Sequence, residues 1–130
     1  MTSPRDVAAC VGDGVEGCDG WARGGRQTRA MITHIVTLDL ASEDRAVRAS
    51  HAREIVRRLE ALGDLPGVVS LRVHHDLDLV AGHWPLVLVG EYDDVAALEA
   101  YQAHPRHREV LAWMNDGVVS ARSTVDYDAG

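Results

Sequence analysis

Ile32-Thr33-His34-Ile35-Val36-Thr37-Leu38-Asp39-Leu40 alternates without a break, with Ile32, His34, Val36, Leu38 and Leu40 on one side and Thr33, Thr37 and Asp39 on the other. A period of two over a run this long is the pattern of a β-strand with one buried face. After it, Ser42 followed by Glu43 and Asp44 reads as a helix N-cap with acids at the positive helix end. Val47, His51, Ile55, Leu59 and Leu62 then recur at spacings of three and four, the apolar stripe of an amphipathic helix with an Arg/Glu outer face. Gly63 is read as the residue just past the helix end, and Pro66-Gly67 as the turn that follows.

The same reading continues to the C-terminus. Val68 to His75 is a second strand with Val69, Leu71 and Val73 on one face, and Asp76 to Trp84 is a polar loop. Pro85 to Tyr92 is a third, largely apolar strand. Asp93 or Asp94 caps a short helix carrying Val95, Leu98 and Tyr101. His104-Pro105 breaks it, because the residue before a proline is pushed out of the α region. Pro105 suits the first turn of another short helix, with Val110, Leu111 and Trp113 as its apolar side. A last strand runs roughly from Val118 to Tyr127. The order β-α-β-β-α-β predicts an α+β, ferredoxin-like fold, a four-stranded antiparallel sheet with its helices on one face. Ile35, Val87 and Val89 then fall on the bare face, and an apolar sheet face calls for cover. A second copy packed face to face supplies it, so a homodimer through the open sheet face is expected.

The chain has 130 residues, enough for one domain, and a formal net charge of -7 that attracts neither nucleic acid nor an anionic membrane. Residues 1–30 hold Gly12, Gly14, Gly17, Gly20, Gly24 and Gly25 and show no sustained period, so a disordered, Gly-rich extension is expected ahead of a domain at 31–128. Cys10 and Cys18 both lie in that extension, and a domain without cysteine reads as cytoplasmic. No apolar run approaches the roughly 18 residues of a membrane span.

The residues resemble a known family. Met31-Ile32-Thr33-His34-Ile35-Val36, Leu65-Pro66-Gly67-Val68, the run from Ala97 to His107 with its Tyr101-x-x-His104-Pro105-x-His107 core, and Val125-Asp126-Tyr127 are similar to the stress-responsive A/B barrel (Dabb) family over nearly all of 31–128. The resemblance implies a dimeric α/β barrel and no single reaction. A polyketide cyclase of that family, olivetolic acid cyclase, is distantly similar. It closes a linear polyketide with a histidine acid/base, a tyrosine and a first-strand histidine, and by motif those roles fall on His107, Tyr101 and His34.

The residue types leave each role open at this point. His34 is either a pocket histidine that orients a substrate oxygen or a buried imidazole bonded to Tyr101 or a backbone group. Tyr101 is either a core tyrosine or a hydroxyl donor to a developing enolate. His107 is a base, a ligand-orienting group or a structural residue; an unperturbed imidazole titrates near pH 6.5, suited to abstracting a proton beside a carbonyl. Val36, Leu98, Leu111 and Trp113 are expected to line the same small-molecule pocket. The remaining histidines have no Asp, Glu or Cys at ligand spacing, so no metal and no cofactor is expected. Three functional readings follow: a cofactor-independent cyclase- or isomerase-type enzyme, a non-catalytic stress-associated scaffold dimer, and a cofactor-independent monooxygenase of the same superfamily.

Overall fold

The computed structural model describes residues 31–130, and the expected disorder of residues 1–30 lies outside the described residues. Four strands, β1 (Ile32–Leu40), β2 (Val68–His75), β3 (Leu86–Tyr92) and β4 (Val119–Asp128), form one antiparallel sheet in the order β2-β3-β1-β4. Helices α1 (Arg45–Glu60), α2 (Val95–Ala103) and α3 (Pro105–Asn115) complete an α+β, ferredoxin-like arrangement. No described helix is long and apolar enough to cross a membrane.

The alternation in β1 sets the faces. Leu38 and Leu40 are buried on the helix side, with Leu38 opposite Leu86 and Val36 opposite Leu88 of β3, and they share the core with Ile55, Leu59 and Leu62 from the α1 side. Burying a side chain of this kind contributes roughly 1.5–3 kcal/mol, and this layer holds α1 to the sheet. The opposite face keeps Val125 and Tyr127 exposed and Ile35, Val87 and Val89 partly so.

Local chemistry moves several boundaries from where the sequence alone puts them. Asp44, not Ser42, caps α1: its backbone is extended and its carboxylate accepts from the Val47 amide at 3.0 Å, while Ser42 Oγ accepts from the Asp44 amide at 3.1 Å. Gly63 does not end α1 in a left-handed turn; it lies within a 3₁₀ turn spanning Ala61–Asp64. Val47 and Val95, expected on apolar stripes, sit in or beside the first helical turns and are exposed, because burial starts later along each helix. A register shift between Val68 and Ser70 turns Val69 outward and leaves Leu71 and Val73 as the buried pair of β2. The β2–β3 loop is less polar than expected, since it presents Leu77, Leu79 and Val80 to solvent.

The left-handed turn before β2 is at Gly67, with φ of +83°. Its carbonyl accepts from the Asp93 amide at 3.0 Å, which ties the turn to the start of α2. A Cβ there would lie 2.7 Å from Ala97 Cβ, so a side chain is excluded both by conformation and by space. Gly67→Ala is expected to destabilise the domain by at least about 1–2 kcal/mol, the left-handed cost alone. Urea titration should show the midpoint falling with an unchanged slope.

Candidate functional site

Between the sheet and the α2–α3 pair lies a cavity of about 240 Å³. β1 lines it with His34, Val36 and Leu38, α2 with Tyr101 and Gln102, and α3 with His107, Leu111 and Met114. Leu59 and Leu88 close the apolar side, and Arg122 and Thr124 of β4 border the remainder. The volume is below the roughly 300–1,000 Å³ of sites for drug-sized ligands, which fits a small molecule.

The helix break places the key rings. α2 ends at Ala103, and the extended His104 caps the next helix, its Nδ1 accepting from the Arg106 amide at 3.1 Å with Pro105 in the first turn. Arg106 anchors the start of α3 by donating to the Asp64 carboxylate and the Ala61 carbonyl, both at 3.0 Å. With the chain redirected in this way, the Tyr101 and His107 rings lie 4.6 Å apart between centroids, tilted by 52°.

His107 is buried, and its Nδ1 is 3.1 Å from the Gln102 carbonyl. A carbonyl can only accept, so Nδ1 carries the hydrogen and Nε2 keeps its lone pair. Burial holds the His107 pKa below its ordinary value; the Gln102 carbonyl works against this, and electrostatic interaction with His34 and Arg122 reinforces it. At neutral pH the ring is therefore a neutral acceptor. Tyr101 is 2% exposed, and burial pushes its hydroxyl up to about 12, so it stays protonated and able to donate.

His34 has a different partner from either one expected. Its Nδ1 donates to the carboxylate of Asp126, the residue directly opposite it in the β1–β4 register. Antiparallel partners share a face, so the pairing follows from register and fixes the imidazole tautomer. Tyr92 lies next to it: its ring meets His34 edge-on at 6.1 Å and Tyr101 at 5.0 Å. The Tyr92 hydroxyl is wholly buried and meets no partner at hydrogen-bond geometry; Tyr101 is close enough only to affect its ionisation. Gly90 makes room for this ring, since a Cβ there would lie 2.6 Å from Tyr92 Oη.

The structure therefore brings His34, Val36, Tyr101, His107 and Leu111 around one cavity and leaves Leu98 and Trp113 outside its lining. Trp113 follows Leu111 by two residues, about 200° around the helix, so both cannot face the sheet. It packs instead beneath the Arg58 guanidinium, 4.2 Å from its ring centroid, and edge-on to His51. Leu98 is buried about a turn before Tyr101, in the core. Asp126, Tyr92, Gln102, Arg122 and Thr124 were not expected at the site. The signal for the β4 residues is the alternation of Arg122, Thr124 and Asp126, which places all three on the face of β4 that pairs with the buried side of β1.

Comparison with known proteins agrees with this architecture. The structure is similar to a dimeric ferredoxin-like protein of unknown function from Bacteroides fragilis, with 21% identity and a TM-score of 0.68 over 75% of this chain and 95% of that one. It is also similar to a dimeric ferredoxin-like protein of unknown function from Thermobifida fusca, with 23% identity, a TM-score of 0.67, and coverage of 81% and 96%. A Dabb family protein with a ferredoxin-like fold from Mesorhizobium loti matches at 21% identity and a TM-score of 0.58, covering 75% and 95%. No curated protein matches the chain. The family model described as Stress responsive A/B Barrel Domain, Dabb, matches residues 32–129. With that match spanning most of its length, the chain belongs to the stress responsive A/B barrel domain family.

Proposed function

We propose that this protein is a cofactor-independent enzyme of the cyclase or isomerase type, acting on a small carbonyl compound bound between sheet and helices. The observation that carries the reading is the neutral His107 imidazole, its Nδ1–H given to the Gln102 carbonyl, beside the Tyr101 ring in a cavity they share. His107 Nε2 takes a proton from the carbon next to the substrate carbonyl. The electron pair moves onto the carbonyl oxygen, and the Tyr101 hydroxyl donates to the enolate oxygen so formed. The enolate then recovers a proton from His107, at its original carbon in simple exchange or, where a neighbouring double bond extends the enolate, at the far carbon, which isomerises the substrate. In a substrate with a second carbonyl it attacks that carbon instead, closing a ring as the proton passes to the new alkoxide. His34, oriented by Asp126, positions the substrate oxygen.

A homodimer through the open sheet face, in the cytoplasm, belongs to the same proposal. Exposed Val125 and Tyr127, with Ile35, Val87 and Val89 beside them, favour cover by a second copy. The similar proteins from Bacteroides fragilis and Thermobifida fusca are described as dimeric.

The test is deuterium incorporation from heavy water into a panel of small ketones and oxo acids, followed by proton NMR. The protein should accelerate exchange at the carbon next to the carbonyl of at least one member, and His107→Gln should remove that acceleration. Exchange at the uncatalysed rate across the panel, or full exchange in the variant, overturns the reading and leaves a scaffold dimer.

A further inference from the structure

Arg122 is the only side chain lining the cavity that carries a full charge at every ordinary pH. It projects from β4 in register with Leu38 of β1 and is exposed, at the border of the cavity. Its guanidinium donates to the Asn115 side-chain oxygen at the end of α3, and among the described residues it forms no ion pair. Arg57 and Arg58 share Glu54, Arg106 holds Asp64 and Arg48 lies near Asp39; Arg45, Arg53, Arg72 and Arg108 also form no ion pair among the described residues, and what sets Arg122 apart from them is its place in the lining of this cavity.

At the cavity border, an arginine that meets no carboxylate among the described residues offers an anion a local attraction that a chain of net charge -7 does not offer elsewhere as a whole. Guanidinium has five N–H donors in a fixed fork, and the bond to Asn115 leaves parallel donors that match a carboxylate. Asn115 also restrains the long side chain, which lowers the ordering cost of binding.

We infer that Arg122 selects an anionic substrate, a small oxo acid whose carboxylate it binds while the carbonyl lies further in, at Tyr101 and His107. The assignment of the reacting end rests on the proposed role of His107; the carboxylate contact does not.

The experiment is calorimetric titration of the full chain with β-benzoylpropionate and with its methyl ester, which differ in charge and little in shape. Wild type should bind the acid at least about tenfold more tightly, as expected for a charge-assisted bond, and added salt should narrow the gap. Arg122→Gln should abolish the preference by weakening the acid far more than the ester, while Arg122→Lys should keep part of it because the charge remains. Equal affinity for acid and ester, a preference that survives in Arg122→Gln, or no binding of either probe up to its solubility overturns the inference. In wild type, exchange without any preference for the acid removes this inference alone; a preference for the acid without exchange removes only the proposed proton transfer.

Discussion

Gly90→Ala should lower the melting temperature by on the order of 10 °C and disturb the Tyr101 and His107 resonances, although residue 90 lines no part of the cavity. The added Cβ would meet Tyr92 at 2.6 Å from Oη and 2.9 Å from Cε1, and Leu71 Cδ1 at 3.0 Å. Tyr92 is fully buried and cannot swing to solvent. It must push against its neighbours, and Tyr101 is one of them, its ring centroid 5.0 Å away. Overpacking of this kind costs typically 1–3 kcal/mol, and in a domain of this size each kcal/mol is about 4–8 °C. Tyr92→Phe alone should be near neutral, because its hydroxyl is buried without a hydrogen-bond partner and its removal relieves a desolvated group. The double variant should recover part of the loss, since Oη is the nearest clashing atom. Additive melting shifts in that cycle would show that the two positions do not communicate through the ring.

This layer shows where sequence reading stops. The period-two run in β1 places His34 and Val36 on the helix side directly, because only one assignment buries the leucines. Pro105 likewise makes the break between α2 and α3 legible, and with it the approach of Tyr101 and His107. Asp126 needed more than periodicity. β4 is a mostly exposed edge strand whose residues alternate weakly, and only its register with β1 sets Asp126 opposite His34. The Gly90–Tyr92 relation depends on one ring lying over a neighbouring residue, which no local pattern encodes. Trp113 went astray for a simpler reason. Its size suggests a cavity wall, yet its angle on α3 relative to Leu111 sends it to Arg58 and His51.

His107→Gln should reduce catalysed deuterium exchange by about 10²- to 10⁴-fold, the range for loss of a positioned general base. Glutamine can still donate its amide hydrogen to the Gln102 carbonyl, so the loss should come with little change in fold, and circular dichroism should confirm that. A purely structural role would give the opposite outcome, a shifted melting curve with exchange retained. The pH dependence separates the two further. Burial, with help from the electrostatic influence of His34 and Arg122, holds the His107 pKa below its ordinary 6.5, so exchange should persist at pH 6.5 and fall only as the medium becomes more acid. On the alkaline side the Tyr101 hydroxyl, pushed up to about 12, keeps its proton, so the rate should show no loss between neutrality and pH 9 or so. Stability follows the same group. The unfolded chain takes up the His107 proton first as pH falls, so the contribution is complete above about pH 6.5 and is lost as pH drops through the lower folded-state value. In His107→Gln both the acid limb of the residual exchange and this part of the acid destabilisation should disappear together. Their separation would mean that the group controlling exchange lies elsewhere in the cavity, with His34 and its Asp126 partner the first to examine.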